Sequence, residues 1–306
     1  MRLPQQALKL AMAVVTLFCA VLVTAPASHA APRADWQQVG TDALTGVSGL
    51  AHEGPGAALI VHDNKRAGQP RLSRITYGTD PIAVTRLSWD GAEPVDLEAI
   101  EAIPGVTGEY VALASRGIVY RLRVEGAVAT VLDYAPLPAI GQGDNDESFA
   151  LVSRGGRLAA LWADRGEGPD RPATLYAAPL TFASWGEPQF GAVTRRSYTS
   201  VYPPGDGTRH ISDISVTDSG RILVGSASDA GDDGPFDSAV SDAGRVTVSA
   251  SGAVRVTLAA RPTVLGTFPG HKVEGVECLP GTDEALLGTD DENLGGYVRT
   301  AAYCGS

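Results

Sequence analysis

Apolar and polar positions alternate along this chain in short runs rich in Val, Ile, Leu and Tyr, each bounded by Gly, Pro, Asp or Ser, and helical spacing is nearly absent. The runs 58–62, 110–114, 118–124, 221–226 and 285–289 show the pattern most clearly. It predicts an all-β chain. Five segments repeat one motif, an apolar or acidic residue, then a polar one, a small one and an apolar one. They read Val47-Ser48-Gly49-Leu50, Leu97-Glu98-Ala99-Ile100, Asp146-Glu147-Ser148-Phe149, Ile211-Ser212-Asp213-Ile214 and Val273-Glu274-Gly275-Val276. Their polar residues lie 50, 49, 65 and 62 positions apart, lengths that suit four antiparallel strands and their loops. Each unit therefore reads as a propeller blade.

Only 32 residues follow Glu274, too few for a whole blade. A strand at Trp36–Thr41 supplies what is missing by forming the outer strand of the last blade, which closes the ring without an exposed edge. The count predicts five blades. A sixth within Phe182–Tyr202 is the alternative, because the third and fourth repeats are long.

The first 30 residues carry Arg2, Lys9 and no acid, then an apolar run from Leu10 to Val23 and small residues up to Ala30. That is the pattern of a secretory signal peptide. The run is shorter than the ~20 residues of a membrane span. Cys19 sits inside it behind Phe18, which argues against lipidation. The expected product is one soluble, monomeric propeller domain over 31–306, secreted or periplasmic, with no membrane partner. Losing Arg2 and Lys9 moves the formal net charge from −11 to −13, which disfavours nucleic acid as a partner and suits life with divalent cations. Two cysteines remain, Cys278 and Cys304. An oxidising compartment makes them a disulfide pair, with two free thiols as the alternative.

In a propeller the first strand of every blade lines the central channel, so Ser48, Glu98, Glu147, Ser212 and Glu274 should point at one axis. Three converging carboxylates repel one another unless a cation compensates them. Oxygen donors with no nearby Cys or paired His favour a hard ion over zinc or copper, and calcium over magnesium, because calcium accepts about 6–8 oxygens in irregular geometry. A polar, water-filled channel is the alternative.

With this series on its inner strands the chain resembles the calcium-dependent apyrases, secreted calcium-activated nucleotidases built as five-bladed propellers around a central calcium. Lys272-Val273-Glu274-Gly275-Val276-Glu277 is similar to that family's last-blade segment, and His210-Ile211-Ser212-Asp213-Ile214 to its fourth. Glu147-Ser148-Phe149-Ala150, with Leu161-Trp162-Ala163-Asp164-Arg165, is similar to its third. A looser similarity extends to phytase-like and lactonase-type propellers, where Glu53-Gly54-Pro55 looks like a ligand motif but falls in a turn.

The second strands should end on the face where the inner strands begin. That places Asp63, Asn64, Arg116, Asp164, Arg165, Asp229 and Asp290 around the channel mouth, with His210 and His271 ahead of their inner strands. Such a funnel could hold a phosphate group, with arginines carrying charge and an aspartate directing water. The apyrase pattern is incomplete. Ala34-Asp35-Trp36 stands where the family has a longer acidic segment, and Ala114-Ser115-Arg116-Gly117 replaces its Lys-Glu-Trp segment, so the resemblance implies only Asp63 and Arg165 as catalytic groups. No nucleophile elbow surrounds Ser48, and Asp229-Asp232-Asp233-Asp237 lacks EF-hand spacing. The sequence thus carries two functional readings. One is a calcium-supported module binding a small molecule or protein, and the other is a calcium-dependent hydrolase of phosphate esters or anhydrides.

Overall fold

A computed structural model describes residues 36–79, 81–141, 143–228 and 230–305. The signal-peptide segment and Asp229 lie outside the described residues. The described chain forms five sheets in sequence order, each built on an antiparallel four-strand core, a five-bladed β-propeller. The inner strands are Gly49–Gly54, Leu97–Ala102, Asp146–Arg154, Thr208–Val216 and Val273–Cys278. All five begin at or beside the repeated motif.

The fifth blade is completed from the other end of the chain. Gln37–Gly40 pairs antiparallel with Gly296–Ala301, Gln37 opposite Val298, as the count predicts. Trp36 precedes that strand, its ring 4.6 Å from the His271 ring. Five apolar clusters then account for five junctions. Leu72 and Leu122 belong to the cluster between blades one and two, Leu113 and Trp162 to that between two and three. Leu161 with Ile222 fills the third junction, and Leu223 with Val273 and Trp36 the fourth. Val47, Ile60, Leu286 and Val298 join blade five to blade one. Closure leaves no inner edge, and every blade buries both faces.

Phe182–Tyr202 is not a sixth blade. Its strands Pro188–Phe190 and Thr194–Tyr198 both pair with Ala173–Phe182, sharing the outer place of blade three. The chain breaks between them at Gly191, whose N–H donates to Pro179 O at 2.8 Å. Blade two also gains a fifth strand, Ser88–Asp90, parallel to Val128–Pro136. Near the axis the inner strands crowd. A Cβ on Gly49 would stand 2.8 Å from the Ala99 Cα and 2.9 Å from the Glu98 carbonyl, so the small residue of the motif is required where blades one and two touch.

Cys278 and Cys304 form a disulfide, Cα to Cα 5.7 Å, across 26 residues. It ties the C-terminal segment to the end of the last inner strand, where the Arg221 guanidinium also holds the Tyr303 and Gly305 carbonyls. A loop of that length constrains the unfolded chain by about 3 kcal/mol. Cys304→Ser should therefore lower unfolding free energy by up to about 3 kcal/mol in urea titrations. The denatured, unreduced wild type should show no titratable thiol, and two thiols would refute the pairing in solution.

Candidate functional site

The ring residues share a backbone device. Leu97 pairs with Ala114 and Ala99 with Leu113, so Glu98 is the extra residue of a β-bulge. Glu147 is skipped in the same way between Asp146 and Ser148, and Glu274 between Val273 and Gly275. In blade four the irregularity spans Arg209 to Asp213 and includes Ser212. Ser48 precedes its strand and donates its N–H to Val61 O at 3.1 Å. Bulges re-aim a side chain and interrupt pairing, and here they fall at the equivalent point of four blades.

Glu98 is 8% exposed, and no donor among the described residues meets its carboxylate. Burial, with Glu147, Asp63, Asp96 and Glu274 nearby, pushes its carboxyl well above the usual range. Glu147 is better served. Its Oε1 accepts from Asn145 Nδ2 at 2.6 Å and Arg165 Nη1 at 3.1 Å, and Arg209 Nη1 lies 3.5 Å from Oε2. Burial raises its pKa, and Arg209 opposes the shift. Arg209 reaches Glu274 Oε1 at 2.8 Å, and Lys272 Nζ stands 3.3 Å from the same oxygen. Lys272 also pairs with Glu292. Ser212 Oγ donates to Val273 O at 2.8 Å, while Ser48 Oγ accepts the Asp63 N–H at 3.2 Å.

The mouth thus holds Glu98, Glu147, Glu274, Asp63, Asp96, Asp290 and Glu292 against Lys65, Arg165, Arg209 and Lys272, an acidic surplus. Asp63 is partly exposed, and its carboxyl is raised to about 6 by burial and then by Glu274. Asp290 is pushed well above the usual range by burial, with Lys272 opposing.

Among the described residues no three Asp, Glu, His or Cys side chains stand as a ready-made cage, and Arg209 bridges Glu147 and Glu274. The donor chemistry nevertheless suits a hard cation, since the buried Glu98 carboxylate has no protein donor and sits among other acids.

Several predicted mouth groups bond to neighbouring loops and side chains. Asp164 is buried, with Oδ1 accepting from Arg171 Nη2 at 2.6 Å and from the Asn145 N–H at 3.0 Å. Asn64 donates to the Leu44 and Pro70 carbonyls. His210 is buried against Gly168 O at 2.7 Å and Ser200 Oγ at 3.0 Å, and His271 Nδ1 lies 2.7 Å from Asp291 Oδ2. These polar atoms close loops. Arg116 is exposed beside Ser115, whose Oγ donates to Asp96 Oδ2 at 2.6 Å. Sequence reasoning missed Arg209, Lys272 and Asn145. The available signal was a basic residue three places before Ser212 and another two before Glu274.

No family model and no curated protein matches the chain. Among solved structures it is similar to the WD40 β-propeller domain of Doa1, at 11% identity and a TM-score of 0.41, covering 87% of this chain and 96% of that one. It is also similar to Myxococcus xanthus glutaminyl cyclase, at 12% identity and 0.44, covering 89% and 95%. These likenesses concern the fold alone.

Proposed function

We propose that this protein is an exported binding module whose channel mouth takes up calcium and, above it, an anionic ligand. One observation carries the reading: Glu98, a buried carboxylate for which no donor is found among the described residues, lies near the ring acids Glu147 and Glu274 within an acidic surplus. Glu98, Glu147 and Glu274 would supply charge, and Ser48 and Ser212 neutral oxygens. Calcium there would neutralise the ring and present positive charge to a ligand. Arg165, Arg209 and Lys272 stand beside it as further anion partners. The same reading agrees with the resemblance to apyrase-type propellers.

An ion bound only by the folded state stabilises by mass action, about 2.7 kcal/mol at a hundredfold excess over its Kd. Calcium should raise the melting temperature by several degrees over protein in EDTA, and magnesium should raise it less. Glu98→Gln should abolish the calcium effect while keeping the fold. Identical wild-type melting in EDTA and calcium would leave Arg209 as the ring's own counter-charge and reject the metal.

A second reading, a calcium-dependent hydrolase of phosphate esters or anhydrides, is favoured by Asp63. A partly exposed carboxyl near 6, with the Lys65 ammonium 4.0 Å away, is suited to taking a proton from water. Asp63→Asn should then cut phosphate release about 100-fold or more while leaving calcium-dependent melting intact. Wild-type protein that releases no phosphate from nucleoside diphosphates or phytate at millimolar calcium rejects this reading and leaves the binding module standing.

A further inference from the structure

At the opposite end of the channel, where the inner strands finish, lies a cavity of about 810 Å³. Small-molecule sites occupy about 300–1,000 Å³. Glu101 and Glu277 line it, and Asp213 sits near both. Glu277 is 5% exposed. Its Oε1 accepts the His52 N–H at 2.9 Å, and its Oε2 meets no donor among the described residues. Asp213 is buried and accepts the Val276 N–H at 2.6 Å. Among the described residues no Lys or Arg forms an ion pair with any of the three acids, whereas the other end of the channel gathers four cationic side chains. Arg154 also lines the cavity, unpaired with these acids. Burial raises both lining carboxyls, Glu277 to about 7, and Glu277 pushes Glu101 further. Leu151, Val216 and Leu279 supply apolar wall.

We propose that this cavity binds a small organic cation, a protonated amine on an apolar body, with its ammonium against Glu277 and Glu101 and its body against Leu151, Val216 and Leu279. An organic cation suits the cavity because the wall joins the two acids to apolar Leu151, Val216 and Leu279. A cation in that place supplies the charge the buried acids lack, and an amine brings donors for the open oxygen of Glu277. The inference is independent of what the mouth binds.

Three probes of similar shape test it: 2-phenylethylammonium, 2-phenylethanol and 3-phenylpropanoate, titrated calorimetrically into the whole protein near neutral pH in millimolar calcium. The ammonium should bind at least about tenfold tighter than the alcohol, and the carboxylate weakest. Glu277→Gln should erase the preference for the cation while melting no lower than wild type, which separates loss of the site from loss of the fold. Equal binding of amine and alcohol, or no binding of any probe, overturns the proposal. So does a preference that survives in Glu101→Gln/Glu277→Gln. Displacement of the amine by added calcium would place it on the ring and overturns it too.

Discussion

Lys272→Met should cost about 3–5 kcal/mol of unfolding free energy, the loss expected when one partner of a buried charge cluster is removed. Lys272 is 1% exposed, and its ammonium faces Glu274 and Glu292, with Asp290 close enough to act on it. Burial alone would lower its pKa. Glu274 and Asp290 outweigh that and hold the ammonium above its ordinary range. Methionine keeps much of the volume and removes the charge, so the defect left is electrostatic. Glu274 would retain Arg209, whereas Asp290, already pushed up by burial, would lose the cation that opposes the shift. Lys272→Arg keeps a cation and should lose less. On the proposed calcium reading, added calcium should recover part of the Lys272→Met loss, because an ion on the ring would replace the missing charge. Urea unfolding at pH 7 measures each quantity. A loss below about 1 kcal/mol would place Lys272 among ordinary surface ion pairs and sink the argument.

How much of this was legible in the sequence follows from what each feature depends on. The five blades depend on residues recurring at similar spacing, and closure by the N-terminal strand depends on a length deficit. Both survive in the bare order of residues. The strand at 285–289 is predicted with its observed limits, and that at 118–124 stops one residue short of Glu125. The disulfide followed from two cysteines in a chain whose N-terminal pattern reads as an export signal. Side-chain direction is a different matter. On a regular strand residues three apart face opposite ways. Alternation alone would therefore turn Glu101 away from the side that Glu98 faces, and Glu277 away from that of Glu274. The bulges at Glu98 and Glu274 reset the parity. That shift puts a second set of acids at the far end of the channel, and no composition or spacing argument reveals a bulge.

The mouth shows the complementary failure. Position at the end of a second strand does place Asp164 and Asn64 on the predicted face. It does not decide whether their polar atoms face solvent or close a loop. Arg171, seven residues after Asp164, and Pro70, six after Asn64, decided that through local hydrogen bonds. Charge compensation was hidden for a related reason. The reading from residue type sought an external cation for three carboxylates, while Arg209 and Lys272 entered the ring from positions ahead of the motif.

Glu277→Gln should stabilise the protein by about 3 kcal/mol at pH 8 and leave it unchanged at pH 4. Burial raises the Glu277 carboxyl from 4.5 to about 7 in the folded state, the His52 N–H only partly opposing it. The folded state therefore prefers the protonated acid. Below about 4.5 the group is protonated whether the chain is folded or not, and no penalty arises. As pH rises toward and through about 7, the unfolded chain ionises freely while the folded one resists, so wild-type stability falls across that window. Each pK unit of difference is worth about 1.4 kcal/mol. Glutamine keeps the oxygen that accepts the His52 N–H and cannot ionise, so the variant lacks this slope. Glu101 titrates with Glu277, and removing one acid eases ionisation of the other, which adds to the gain at high pH. Urea unfolding of both proteins at pH 4, 6 and 8 tests the account. An equal gain at pH 4 would assign the effect to packing, and no gain at pH 8 would show that Glu277 ionises without cost. A saturating amine should narrow the difference at pH 8, because a bound cation relieves in the wild type the charge that glutamine removes.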